Sequence, residues 1–312
     1  MRSNCLSPLR LPFRHTGICL FEFLGRSQRG ANGINLSLPS RKARWPILSS
    51  ALLLEIFPRP AFFRRIPAAS SHLMRRLFLF FLVGAACLGG VHLLHAPRSS
   101  PWGTLSGGVQ HRTIRLQEGL SNISIEEFRA PASSFRVAGG SYLDASGWLR
   151  KTGARVVVNG GYFDGSGRPM GLRAGKNTQK STLRRADWGV FWVKNGVAHL
   201  SHTRDFAPSS SPDEAIQCGP RLVVRGVVTK LKPQWARRSG VGIDRQGRVV
   251  LAICNEEISL ARWGEIWALP SGMNCLQALN MDGGPSTQLA VRGRSDLDIA
   301  GGWPVPDVLA FK

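Results

Sequence analysis

VVVNGGYFD, residues 156–164, is the stretch whose reading decides the fold. Its unbroken valine run suits a central strand covered on both faces, and it stops abruptly at Asn159-Gly160-Gly161. A second stretch, QALNMDGGPSTQLAV (277–291), repeats the arrangement with Asp282-Gly283-Gly284. Glycine serves where backbone must take unusual dihedrals or approach another group closely. Both stretches therefore put polar groups and bare backbone at a strand end, where enzymes commonly keep their chemistry.

Working outward, short apolar runs alternate with turns. Residues 128–137 read as strand, turn, strand, residues 142–153 as a short helix, and residues 154–158 as the strand before the first glycine pair. Lys194-Asn195-Gly196, Arg225-Gly226 and Asp244-Arg245-Gln246-Gly247 each separate two apolar runs and predict three hairpins. Residues 259–269 are helix-periodic and lead into a strand at 277–281. Thr287–Val291 is expected to return from the Asp-Gly turn as a hairpin strand. Strands outnumber helices, so the fold class is α+β: a single compact domain with a mixed, strand-rich central sheet or sheets and a few helices.

The 312 residues carry a formal charge of +22, half of it in the first 76 residues, where thirteen Arg and Lys face two acids. Residues 1–73 show no sustained period and read as a disordered or spurious extension. A basic arm for nucleic acid or lipid is the alternative. The adjoining segment argues against it, because Met74-Arg75-Arg76 precedes the apolar run LFLFFLVGAACLGGVHLL (77–94). Residues 74–96 thus have the pattern of a signal peptide or membrane anchor, with Met74 as the expected start. The expected location is exported, periplasmic or anchored facing the periplasm, with the membrane a partner if this segment is uncleaved and no nucleic acid partner. Residues 97–112 read as a Pro-, Ser- and Gly-rich linker, and residues 113–312 as the functional domain.

Within that domain Cys218, Cys254 and Cys275 form no zinc pattern. Cys254 and Cys275 could pair, and Cys218 reads as buried and inert rather than as a nucleophile. His199 and His202 read as surface imidazoles. Asp282, followed by glycines and the hydroxyls of Ser286 and Thr287, suits acid–base work or a divalent cation. Gly160 and Gly161 would leave successive N–H groups open to an anion. Arg221 and Arg238 offer planar recognition of phosphate.

Four ordered motifs then carry a resemblance: NGGYFD (159–164) with Pro169-Met170-Gly171-Leu172, QCGPRLV (217–223), RRSGVGID (237–244) and ALNMDGGPSTQL (278–289). Together they resemble the phosphodiester glycosidase domain family, in its exported bacterial branch, over residues 113–312. Cys218 stands where members usually carry a small residue such as Ser. The resemblance implies an exported hydrolase that cleaves the glycosidic bond of a sugar-1-phosphodiester, giving a free sugar and a phosphomonoester.

On that reading Asp282 and Asp164 are the catalytic carboxylates, facing each other across one pocket. Arg221, Arg238 and the Gly160, Gly161, Gly283 and Gly284 amides hold phosphate, while Asn159, Ser286 and Thr287 hydrogen-bond substrate. A divalent cation on Asp282 is the one cofactor left open. The alternatives are a non-catalytic envelope module that binds phosphorylated polysaccharide or peptidoglycan, and a metal-dependent phosphodiesterase.

Overall fold

The computed structural model describes Phe80 and residues 96–312, apart from Asn177, Gln179, Ser209 and Ser210. The expectations for residues 1–73 and for the apolar run at 77–94 fall almost wholly outside the described residues. The described chain opens with β1 (Arg98–Ser99), β2 (Gly103–Thr104), β3 (Gln110–Glu118), β4 (Ser121–Ala130) and β5 (Phe135–Leu143). Helix α1 (Ala145–Thr152) comes after it, then β6 (Val156–Asn159), β7 (Arg173–Gly175), β8 (Gly189–Lys194), β9 (Val197–His202) and β10 (Glu214–Cys218). Next come β11 (Arg221–Val224), β12 (Val227–Val228), β13 (Trp235–Asp244), β14 (Val249–Ser259) and helix α2 (Leu260–Ala268). The chain finishes with β15 (Cys275–Asn280), β16 (Leu289–Val291) and β17 (Val305–Phe311).

These strands form three sheets. One has nine strands in the order β1-β3-β4-β14-β13-β15-β11-β12 with β2 beside β3; the others are β16-β6-β17-β5 and β7-β10-β8-β9. Every ladder among the described residues is antiparallel. The α+β reading holds, with strands far outnumbering helices. The segment read as a linker contributes β1 and β2, which add to the edge of β3.

Period-2 alternation divides the apolar residues between two layers. Val156 and Val158 of β6, with Leu309 and Phe311 of β17, face Phe128, Val241, Leu251 and Leu279 of the nine-stranded sheet in the central core. Val157, Val308 and Ala310 point the other way and are covered by Trp148 of α1. On the far side, Val250, Ala252 and Cys254 of β14 lie under Trp263 and Trp267 of α2. The layers run α2, nine-stranded sheet, core, β6 sheet, α1, and β8 and β10 add Phe191 and Ile216 to the same core.

Local chemistry sets the element ends. Asp144 caps α1 by accepting from Gly147 N, and Gly153 closes it in the left-handed region. Ser259 caps α2 through Arg262 N. Asn195-Gly196 and Arg225-Gly226 both take positive φ, which fits the two-residue turns that match strand twist. Gly240 and Gly242 of β13 lie against the Trp267 ring, and a Cβ on either would sit 2.7 or 2.6 Å from it.

One expectation is overturned here. The Asp282 turn closes no hairpin, because β16 pairs with β6 and not with β15. The turn carries the chain from one sheet to another.

Candidate active site

Three chain crossings between sheets converge at one place. Residues after Asn159 leave the β6 sheet for β7, residues 219–220 leave β10 for β11, and residues 281–288 leave β15 for β16. Crossings break ladders, so their backbone groups need other partners. They find them in one another. Asp282 N donates to Gly160 O at 3.1 Å, and Met281 N donates to Ser239 O at 3.0 Å. Asn280 N donates to Pro220 O at 3.0 Å. The Asp282 carbonyl accepts from Asn159 Nδ2 and from Ser239 Oγ, both at 2.8 Å.

The Asp282 carboxylate stands half-buried at this junction. Its own Gly283 N–H donates to Oδ1 at 3.0 Å. Burial lifts its pKa from the usual carboxylate range to about 6; hydrogen bonds from Ser286 and Gly283 and the Arg173 charge oppose the lift, and the Asp307 charge adds to it. Tyr162 sits beside it, donating its hydroxyl to Gly219 O at 2.5 Å. Burial foremost, then the Cys218 and Asp282 charges, hold that phenol above its usual range.

The same junction gathers unsatisfied polar atoms. Arg237 Nε, Arg238 Nε, Asn280 Oδ1 and Thr287 Oγ1 are buried with no hydrogen-bond partner, although buried polar groups are ordinarily paired. Arg238 is only 7% exposed, reaches Gln234 O through a terminal nitrogen, and has a pKa lowered by burial with the neighbouring Tyr162 opposing. Unpartnered buried atoms near a carboxyl of near-neutral pKa are the kind of cluster found at functional sites.

Several expected site residues take other roles. Gly160 and Gly161 N–H groups are not open: Gly160 N donates to Asp307 O at 3.0 Å and Gly161 N to Asp307 Oδ1 at 2.9 Å. Their lack of side chains makes room for Asp307 and Arg173, since a Cβ would lie 1.9 Å from Asp307 Oδ1 or 2.3 Å from an Arg173 nitrogen. Asn159 is fully buried and clamps the two turns together, with its Oδ1 accepting from Gln288 N at 3.3 Å. Gly283 leaves no room for a side chain beside Arg237 O, and Gly284 takes φ +58°. Ser286 accepts from Trp303 Nε1 at 3.1 Å. Arg221 leans over Gly189, and its charge is felt at Asp187.

The hydrogen bonds of the Asp164 carboxylate all fall within its own turn. It accepts from Ser166 N, Ser166 Oγ, Arg168 N and Arg168 Nε, all between 2.7 and 3.0 Å. Those hydrogen bonds hold its pKa below the usual range. The carboxylate whose charge bears on Asp282 is instead Asp307, paired with Arg173 at 2.8 Å and buried with it.

Sequence patterns alone do not single out Tyr162, Asn280, Arg173 or Asp307. The first two lie inside the motifs quoted above. The last two are single charges in apolar surroundings, GLRAG (171–175) and VPDVLAF (305–311), and a charge so placed requires a buried partner.

Cys218, Cys254 and Cys275 are free and buried. Burial pushes the Cys218 thiol up to about 12, so no thiolate is at hand. His202 pairs with Asp187 at 2.7 Å, and His199 stacks on Trp192. Among the described residues no three His, Cys, Asp or Glu side chains converge on a metal position.

Residues 152–312 match the family model described as phosphodiester glycosidase. The chain belongs to the phosphodiester glycosidase family. Within the family match lie β6 to β17 and every residue of the Asp282 junction. Residues 113–151 lie before it, yet β3, β4 and β5 pair into the same sheets.

An uncharacterised relative, YigE of Escherichia coli K12, is 30% identical over 115 residues. That alignment takes in 33% of this chain and 45% of YigE, less than half its length. The catalytic domain of zebrafish N-acetylglucosamine-1-phosphodiester alpha-N-acetylglucosaminidase, solved in a form auto-inhibited by its pro-peptide, superposes with a TM-score of 0.53. At 14% identity, over 69% of this chain and 88% of that one, the likeness is one of fold.

Proposed function

We propose that this family member is a hydrolase of sugar-1-phosphodiesters that cleaves the bond between the anomeric carbon and the phosphate oxygen. The observation that carries the reading is Asp282: a half-buried carboxyl with a pKa near 6 at a junction whose residues Arg238, Asn280 and Thr287 keep buried atoms without partners. A group with that pKa is largely ionised at pH 7 and suits a general base.

In the proposed reaction Asp282 takes a proton from a water molecule. The water oxygen bonds to the anomeric carbon as the carbon–oxygen bond to phosphate breaks through an oxocarbenium-like transition state. The bonding pair leaves on the phosphate oxygen. Arg238 neutralises that charge, which matters more than protonating so good a leaving group. Asn280 Oδ1, Thr287 Oγ1 and Tyr162 are placed to meet sugar hydroxyls. Arg221 and Asp164 take no part in this scheme.

Oxygen-18 water with N-acetylglucosamine-1-phosphate methyl diester tests it. Label in the sugar is the expected result. Label in the phosphate would make the chain a phosphodiesterase, and binding without any product would make it a glycan-binding module. Export is part of the same proposal and rests on Arg75, Arg76 and the run at 77–94. Recovery of the intact chain in the cytoplasmic fraction alone would refute it.

A further inference from the structure

Beside the Asp282 junction lies a cavity of about 840 Å3, within the range of sites that enclose small-molecule ligands. The end of β5, residues 165–169, Thr178 and residues 180–182 line it, with Asp307 as part of its wall. Gly160 separates it from Asp282, since that residue donates to Asp307 O on one side and accepts from Asp282 N on the other. The proposed reaction at Asp282 uses no part of this space.

Its lining has the chemistry of a site for anionic sugar. Arg168 and Lys180 bring two positive charges to it. Arg168 uses its Nε on Asp164 Oδ2, and its terminal nitrogens have no protein partner among the described residues. Lys180 is exposed and has none either. Asp307 in the wall is already paired with Arg173, and Asp164 offsets Arg168 through one nitrogen only, so Lys180 carries the unpaired charge. Tyr142 is 51% exposed and rests its ring against Phe163 with centroids 6.1 Å apart, leaving an aromatic face to the space. Ser141 and Thr182 add hydroxyls. Aromatic faces pack on sugar rings, and Arg and Lys take phosphate oxygens.

We propose that this cavity is a subsite for the neighbouring repeat of a polymeric substrate, a chain of sugar-1-phosphate units whose cleaved linkage lies at Asp282. Lys180 and Arg168 hold the neighbouring phosphate, and Tyr142 carries its sugar. The inference rests on the proposed reaction for its register, but the binding it describes can be measured without turnover.

The test uses the full chain and two substrates, N-acetylglucosamine-1-phosphate methyl diester and a hexamer of N-acetylglucosamine-1-phosphate repeats. Combined Lys180→Glu and Tyr142→Ala is expected to raise KM for the hexamer at least tenfold more than KM for the methyl diester, with kcat for the hexamer held within twofold. Equal effects on the two substrates overturn the subsite.

If neither substrate is cleaved, the reaction fails, and calorimetric titration of the hexamer into the Asp282→Asn chain decides the subsite separately. At least tenfold weaker binding on adding the two cavity substitutions upholds it. Absent or unaltered binding overturns it. A neutral glucose hexamer bound as tightly overturns the anionic assignment. A DNA hexanucleotide bound as tightly reassigns the surface to polyanions in general.

Discussion

Asp307 and Asp282 are held on opposite sides of a single residue, Gly160, whose N–H and C=O bond to one backbone each, at 3.0 and 3.1 Å. Asp307 is sealed against Arg173, while Asp282 stays half-buried with a raised pKa. The two carboxylates divide their roles by environment: Asp307 is sealed in a buried ion pair, and Asp282, with its raised pKa, is free to exchange a proton.

The Arg173–Asp307 pair is fully buried, with Arg173 also donating to the carbonyls of Leu172, Gln217 and Tyr162. Asp307→Asn leaves that guanidinium uncompensated, and a loss of about 3–5 kcal/mol in urea unfolding is expected. A loss below about 1 kcal/mol would show that the pair does not bind the turns together.

For the proposed reaction kcat/KM should rise with pH through about 6, as Asp282 ionises, and then level off. Asp282→Asn should lower it by about 10²–10⁴-fold and remove that limb. Stability moves the opposite way. The folded pKa lies above the ordinary 3.8, so the carboxyl's contribution is fully present below about that pH and is lost as pH rises through 6. Unfolding of Asp282→Asn between pH 4 and 7 should show a shallower decline than the unaltered chain.

Arg238 is buried with Nε unpaired, a placement that favours a ligand over the free protein. Arg238→Met should therefore lower kcat/KM by about 10²-fold or more and leave the melting temperature equal or higher. Arg238→Lys keeps the charge but not the planar fork, and should still lose at least about tenfold. Activity retained with a lowered melting temperature would make Arg238 structural.

Asp164 closes its own turn. Asp164→Ala should leave kcat for the methyl diester within about threefold while making residues 164–169 more sensitive to limited proteolysis. A loss as large as that of Asp282→Asn would return it to the catalytic pair.

Gly242 lies under Trp267, and Gly242→Ala forces a methyl group into the ring. The expected cost is about 1–3 kcal/mol in thermal unfolding. Trp267→Leu in the same chain should recover part of it.

Local features are legible in the sequence because local rules set them. Asn195-Gly196 and Arg225-Gly226 announce hairpins, the periodicity of residues 259–269 announces a helix, and the valine run of β6 announces a central strand. The destination of the chain after Asp282 is not legible. Thr287–Val291 has the pattern of a return strand, and nothing in its spacing says that its partner is β6, far back in the chain, rather than β15. The same non-locality hides Asp307, whose carboxylate fills the place that Gly160 and Gly161 would otherwise keep open. Asp164 is ambiguous in sequence for the opposite reason: its partners, Ser166 and Arg168, are so near that a carboxylate closing its own turn has the same pattern as one in a shared site.

The three crossings that make the junction join sheets packed on one core, whereas the cavity is edged largely by residues 165–169 and 180–182. A substitution in those segments can alter what is gripped without disturbing the hinge points of the sandwich. A shift of one sheet over another moves Gly160 against Asp282 directly, since β6 and β15 belong to different sheets. In the proposed scheme reactivity is thus tied to the alignment of the layers and selectivity to the rim, so the two can diverge at different rates among relatives.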